Sequence, residues 1–276
     1  MPSPEKAYKN LSFLNSPPAR HIRLLCEYEE PRQRFEEEDV HDTIVMFGSA
    51  RVRSPEDAAA AVERALRDIE AMHDPADVAR AREELARAQR VQRLSRYYAD
   101  TRELAARLTR WSLERTGGRR YVVCSGGGPG IMEASNRGAQ DVEGGRSIGL
   151  GISLPFEEKV NQYVSPELAF QFHYFFMRKY WFAYLAKAMV ILPGGFGTFD
   201  ELFEILTLRQ TGKITKPLPM VLFGTEYWSS VMNLEKMVEW GTIAERDLDL
   251  MFRTDSVDDA FTFLTQRLEE NERESR

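Results

Sequence analysis

Cysteine is nearly absent from this chain of 276 residues, with Cys26 and Cys124 the only two. Two cysteines can build neither a disulfide framework nor a thiolate metal cluster. Histidine is almost as scarce, and His21, His41, His73 and His173 show no metal-ligand spacing. Basic charge is not in excess: 37 Lys and Arg stand against 43 Asp and Glu, a formal net charge of −6. A surface that tracks nucleic-acid phosphates more often carries the opposite sign, so no nucleic-acid polymer is expected as a partner. Long uncharged apolar runs are missing too. The greasiest stretch, Leu168 to Leu192, is interrupted by Arg178, Lys179 and Lys187, whereas a membrane span needs about 20 largely uncharged residues. Met1 to Asn10 lacks the apolar stretch of a signal peptide. The expectation is a cytoplasmic protein with no membrane contact and no metal.

What is present describes a chain able to bury a sizeable core, since 43% of the residues are hydrophobic. Residues 1–41 are polar, contain proline and end in the charged run Arg32 to Asp39. They read as an N-terminal arm with one or two short helices, its apolar side chains packing on the body or on a partner. Residues 42–276 read as one domain. Thr43–Phe47 is a β-branched run entering the loop Gly48-Ser49-Ala50, a buried strand. Residues 55–115 are rich in Ala, Arg, Glu and Leu. His73-Asp74-Pro75 divides them into helices at about 55–72 and 76–115, with Asp74 as cap and Pro75 at a first helical position. Their charge density suggests a solvated helical insertion over about 55–95.

From Tyr121 the pattern alternates. Strands are expected at 121–124, 147–154, 170–175, 188–192 and 219–223. Helices are expected at 129–140, from Phe175 to about Lys187, and at 199–210, 227–240 and 257–270. Such alternation predicts an α/β fold with a parallel sheet covered on both faces.

Two glycine-rich turns follow strands and open helices. In Ser125-Gly126-Gly127-Gly128-Pro129-Gly130 the glycines allow a tight turn and close approach of a ligand. A helix start offers free N–H groups and the positive end of its dipole to an anion. The dinucleotide fingerprint is not met: the third glycine comes one position early, and the next strand ends in Ser153-Leu154-Pro155 without an acidic residue. NAD binding is therefore excluded. The second turn, Leu192-Pro193-Gly194-Gly195-Phe196-Gly197-Thr198, can cradle one phosphate, yet no Lys-Ser or Lys-Thr follows it as a Walker motif requires. Two such turns at carboxyl ends of parallel strands point to a crevice for a phosphorylated ligand. Two readings of Glu201 stay open. Thr198-Phe199-Asp200-Glu201 has the form of a capping box, with Thr198 and Glu201 satisfying each other's backbone. Alternatively, Glu201 faces a neutral part of the ligand such as sugar hydroxyls. Arg178-Lys179, set among aromatics, reads either as snorkelling surface charge or as a phosphate contact.

The string Pro193-Gly194-Gly195-Phe196-Gly197-Thr198-Phe199-Asp200-Glu201 resembles the PGGxGTxxE signature of the LOG proteins, cytokinin-activating phosphoribohydrolases long misnamed lysine decarboxylases. Gly126-Gly127-Gly128-Pro129-Gly130-Ile131-Met132-Glu133-Ala134 resembles their first glycine motif, Phe47-Gly48-Ser49-Ala50-Arg51 their first strand end, and Met177-Arg178-Lys179 their Arg-Lys pair. The resemblance spans about residues 43–241. It implies a Rossmann-like, doubly wound sheet, usually in dimers or larger assemblies. It also implies hydrolysis of the N-glycosidic bond of a nucleoside 5′-monophosphate, such as AMP or a cytokinin riboside 5′-monophosphate, without a cofactor. Carried over by residue, Arg178 and Glu201 become the catalytic pair. Lys179, Gly194, Gly195, Gly197, Thr198 and Thr207 become ligand contacts, joined by Ser49, Gly127, Gly128 and Glu133 from the first two motifs. The plant enzymes have a glutamate contact after the third strand. The aligned position here is Asn161, flanked by Glu157 and Glu158. The long arm and first helical region resemble the larger bacterial branch, where 55–95 is still an addition. Phe176, Tyr180, Trp181 and Tyr184 offer more aromatic surface than one crevice needs, so part of it is expected at a homodimer interface. The competing readings are a non-catalytic carrier of a phosphorylated ligand, like the molybdenum-cofactor carriers, and a signalling-nucleotide sensor.

Overall fold

The structure, a computed structural model, describes residues 4–154 and 160–274. Its apolar runs pair as seven parallel strands: β1 (Thr43–Phe47), β2 (Val122–Ser125), β3 (Ser147–Ile152), β4 (Ala169–Phe172), β5 (Ala186–Ile191), β6 (Met220–Phe223) and β7 (Phe252–Thr254). They lie in the order β4-β3-β2-β1-β5-β6-β7. The chain thus winds outward from β1 in one direction, then returns to β1 and winds outward in the other. This reversal leaves the carboxyl ends of β1 and β5 side by side with their following loops diverging, the place where open α/β sheets hold ligands.

All five residues of β1 are buried, because helices cover both faces. Successive side chains alternate between two cores. Val45 and Phe47 join Phe170, Trp181, Phe182 and Leu202 on one face, while Ile44 and Met46 join Leu104, Leu108, Ile131 and Leu264 on the other. The helices are α1 (Leu11–Leu14), α2 (Arg20–Glu37), α3 (Pro55–Ala71), α4 (Pro75–Thr116), α5 (Ile131–Gln140), α6 (Phe175–Leu185), α7 (Phe196–Gln210), α8 (Thr225–Val231), α9 (Leu234–Glu239) and α10 (Val257–Glu274). The split of residues 55–115 falls at Asp74, whose carboxylate accepts from Ala76 N at 2.8 Å. α4 ends at Gly117, left-handed at φ 65°, whose N–H returns to the Leu113 carbonyl. Its first half pairs with α3, and its second half carries Leu104 and Leu108 onto the sheet.

Three expectations need correction. The arm holds an 18-residue helix, α2, with Pro31 inside it, rather than only short helices. A proline within a helix costs about 3 kcal/mol, but here tertiary packing opposes that cost: Phe35 is buried with its ring 4.8 Å from Phe170 and 5.5 Å from Trp181. α5 begins at Ile131 behind Gly130, so Pro129 precedes the helix. The helix expected at 227–240 is two helices, because the chain turns at Asn233, which caps α9 through Lys236 N at 2.9 Å. Among the four aromatics expected at a dimer surface, Trp181 is buried in this chain and Tyr180 packs on Tyr28, while Phe176 and Tyr184 stay more than half exposed. Among the described residues no helix is long and apolar enough to cross a membrane.

The arm also fixes α6. The Glu27 carboxylate accepts from the backbone N–H groups of His173 (2.7 Å) and Tyr174 (3.2 Å), and the Glu27 carbonyl accepts from Trp181 Nε1 at 3.0 Å. A side chain from α2 thereby serves the unpaired donors at the α6 start. Glu27→Ala is expected to lower unfolding stability by about 0.5–2 kcal/mol, the range of a lost helix cap. Urea denaturation measures it, and an unchanged midpoint would show that the arm does not hold α6.

Candidate active site

The loop leaving β1 binds both glycine turns. Ser49 N donates to the Pro193 carbonyl at 3.0 Å, and Ile131 N donates to the Ser49 carbonyl at 3.1 Å. At Gly130 (φ 70°) a Cβ would lie 2.4 Å from that same Ser49 oxygen, so only glycine lets the two loops meet. The result is a cleft of about 850 Å³ at the sheet's reversal point. Ser49, Gly127, Gly128, Arg178, Gly194, Gly195, Gly197, Thr198 and Glu201 all line it.

At the second turn, α7 starts at Phe196 behind Gly195, with no side-chain cap. The N–H groups of Gly195, Phe196 and Gly197 have no acceptor among the described residues. Three unspent donors at a helix start form an anion seat. The expected capping box is absent. Thr198 already lies inside the helix, and its N–H is taken by the Gly195 carbonyl at 2.9 Å. The glycines let the helix begin three residues earlier than a threonine cap would, and this releases the Glu201 side chain from the backbone.

Glu201 projects from α7 toward α6 and is only 5% exposed. Its nearest cations are Arg178 Nη2 at 3.8 Å and Lys179 Nζ at 3.9 Å, both beyond hydrogen-bond length. Burial pushes the Glu201 carboxyl up to about 7, against the pull of Lys179 and Arg178. Arg178 lies over the rings of Phe175 (5.2 Å) and Phe182 (5.7 Å). Its Nε is buried and finds no partner among the described residues. Burial pulls its guanidinium below the ordinary value, opposed by Glu201 and Asp200. An arginine nevertheless stays protonated at neutral pH. A buried carboxylate and a largely buried guanidinium therefore face one cleft, close enough to attract yet not bonded, with donor capacity left for a ligand.

Four residues singled out from the sequence stand outside the cleft lining. Lys179 Nζ is spent on Asp200 (2.8 Å) and Glu204 (2.7 Å). Burial works against its charge, but these two hydrogen bonds leave its pKa raised. Thr207 is exposed, and its hydroxyl donates to the Phe203 carbonyl within its own helix. Glu133 accepts from the Tyr98 hydroxyl at 2.6 Å. Asn161 braces the first glycine turn: its Nδ2 lies 3.0 Å from the carbonyls of both Gly127 and Gly128. Its neighbours Glu157 and Glu158 lie outside the described residues. Sequence reading missed Leu94, Phe175 and Tyr227, which also line the cleft. Tyr227 follows β6 directly, so the rule that ligands gather at strand carboxyl ends could have flagged it. Among the described residues no lysine lines the cleft, so that described lining does not fit a pyridoxal Schiff base. Among the described residues no three His, Cys, Asp or Glu side chains converge as a metal site.

The raised Glu201 pKa has a stability consequence of definite sign. An acid that is harder to ionise when folded favours the fold only while protonated. Wild type is unpenalised relative to Glu201→Gln below pH 4.5, and loses ground as the pH climbs through about 7. The loss over that window is on the order of 3 kcal/mol. Denaturation of both proteins at several pH values measures it, and a pH-independent difference would contradict the burial argument.

Comparison with known proteins finds relatives of this chain. A family model described as "Possible lysine decarboxylase" matches residues 132–264. The cytokinin riboside 5′-monophosphate phosphoribohydrolase LOG2 of Arabidopsis thaliana is 32% identical over 126 residues, 45% of this chain and 57% of that protein. A protein of Oryza sativa subsp. japonica named "Probable cytokinin riboside 5'-monophosphate phosphoribohydrolase LOG4" is 30% identical over 149 residues, 52% of this chain and 62% of its own length. The chain thus spans less than two thirds of these relatives. Over these stretches the chain is similar to LOG proteins, and the two glycine motifs and the Arg-Lys pair quoted from its sequence fall in or next to the matched region.

Proposed function

We propose that this protein hydrolyses the N-glycosidic bond of a nucleoside 5′-monophosphate, AMP or a cytokinin riboside 5′-monophosphate, to free base and ribose 5-phosphate. One observation carries the reading: a buried carboxylate, Glu201, faces Arg178 across 3.8 Å beside the unspent N–H groups of the α7 start. Cleaving a ribosyl C–N bond builds positive charge on the sugar ring. The Glu201 carboxylate stabilises that charge and polarises the attacking water. Arg178 orients the phosphate or ribose with its free Nε, and the turn from Gly195 to Gly197 receives the 5′-phosphate. Anchoring a phosphate that does not react supplies binding energy that positions the carbon that does. A carrier would gain nothing from a carboxylate held buried and hard to ionise, so the enzyme reading is preferred. The proposed setting is the cytoplasm, and the proposed assembly a homodimer or larger. A second copy would cover Phe176 and Tyr184, and a strictly monomeric mass in light scattering would remove that part.

Incubation with a panel of 5′-monophosphates, followed by chromatography of the free base, tests the reaction. AMP should be cleaved with kcat/KM on the order of a hundredfold or more above adenosine, because the phosphate seat is lost with the phosphate. kcat/KM should rise with pH through about 7 as Glu201 ionises. Glu201→Gln should lower kcat by on the order of a hundredfold or more. Equal rates for AMP and adenosine, or near-wild-type turnover by a folded Glu201→Gln protein, would contradict the proposal.

A further inference from the structure

The phosphate seat proposed above contains an unusually free peptide unit, the one joining Gly194 to Gly195. Neither residue has a Cβ, so this unit can rotate between two orientations at little steric cost. In a trans peptide the carbonyl of the first residue and the N–H of the second point in opposite directions, and the described residues contain no cis peptide. Rotating the unit by half a turn would withdraw the Gly195 N–H from the anion seat and swing the Gly194 carbonyl oxygen toward it. A carbonyl oxygen there would repel a phosphate.

The sequence cannot stiffen this peptide at Gly194 itself. A Cβ on Gly194 would lie 2.0 Å from Thr198 Oγ1, a hydroxyl that is itself buried at the helix start. The restraint has to come from outside the turn, and one side chain supplies it. The Tyr227 hydroxyl donates to the Gly194 carbonyl at 2.5 Å. Tyr227 is well placed to act as a fixed post. Its ring meets Trp228 edge-on at 5.1 Å, and Trp228 is buried with its Nε1 bonded to the Phe223 carbonyl at 2.9 Å. The helix start just before it is tied down by Thr225 N on the Asp255 carboxylate at 2.9 Å.

We infer that Tyr227 is a positioning residue of the phosphate seat: its hydroxyl holds the Gly194–Gly195 peptide in the one orientation that leaves the Gly195 N–H free for the substrate's phosphate. The inference rests on the functional reading above. It concerns binding of the phosphate rather than bond cleavage, so its signature is a change in affinity. Gly195 provides an internal check. Its φ of −92° suits an L residue, and a Cβ there meets nothing within 4 Å. Rotation of the peptide would drive that φ positive, which glycine tolerates and alanine resists. Alanine at this position therefore replaces the tether by another means.

The test is calorimetric binding of ribose 5-phosphate, with AMP kinetics alongside. Tyr227→Phe should weaken ribose 5-phosphate binding and raise KM for AMP by about tenfold, the worth of one hydrogen bond, with kcat within about twofold of wild type. In a Gly195→Ala background the same change should cost less than about twofold, since the two devices do one task. Unaltered affinity and KM in Tyr227→Phe would overturn this inference while leaving the functional reading intact. Equal losses in the two backgrounds would overturn it as well, because a merely structural tyrosine would behave that way. Wild-type protein that binds no ribose 5-phosphate would overturn both.

Discussion

A carboxylate held out of water without a bonded counter-ion is the constraint around which the cleft is arranged. Glu201 has two cations near it, yet neither comes within hydrogen-bond distance. Removing a charge from water without full pairing costs several kcal/mol, and the group responds by becoming harder to ionise. Such a group persists only if the surrounding structure leaves it no alternative. Here α7 begins on glycine, so the backbone does not claim the carboxylate, while Lys179 is drawn away by Asp200 and Glu204. Arg178 is fixed on α6 between two rings, unable to close the last ångström. A ligand with a sugar and a phosphate would supply acceptors for the free donors and, as its glycosidic bond breaks, positive charge near the carboxylate.

That arrangement is transmitted over long sequence distances. Arg178 depends on α6, whose first donors are served by Glu27, some 150 positions earlier in the chain. The two glycine turns depend on the β1 loop, which bonds to both. The sheet order makes this possible, because only at its reversal point do loops from β1, β2 and β5 share one opening. The α3–α4 hairpin lies on the other face but is not remote from the cleft, since Leu94 of α4 forms part of its wall.

Much of the fold was legible because its signals are local. Strand β1, the break at Asp74-Pro75 and the alternation after Tyr121 follow from side-chain period, capping chemistry and proline geometry, all readable in short windows. What was misread depends on tertiary contact. Pro31 argues against a long α2 in isolation, and only the Phe35 contacts with Phe170 and Trp181 outweigh it. β7 is three residues long, too short to show a period. At the site, the glycine turns identify themselves by composition, as do Arg178 and Glu201 by their motifs. The capping box did not survive, since a threonine and a glutamate three positions apart carry the same pattern whether the helix starts there or earlier. Lys179 was indistinguishable from Arg178 in sequence, because the helix turn that directs one into the cleft and the other onto Asp200 and Glu204 is not a property of either residue. Asn161 bears on the cleft only through the backbone of the first turn, a role that motif alignment does not encode.

The central claim is that Glu201 is a buried carboxylate kept from full pairing. The most direct measurement is its titration, by carbon-13 NMR of protein labelled at glutamate side-chain carboxyls, with Glu201→Gln identifying the resonance. The account predicts a midpoint at about 7 in the unliganded protein. A midpoint near the ordinary glutamate value of about 4.3 would mean that the carboxylate is solvated or bonded to Arg178, and would contradict the account.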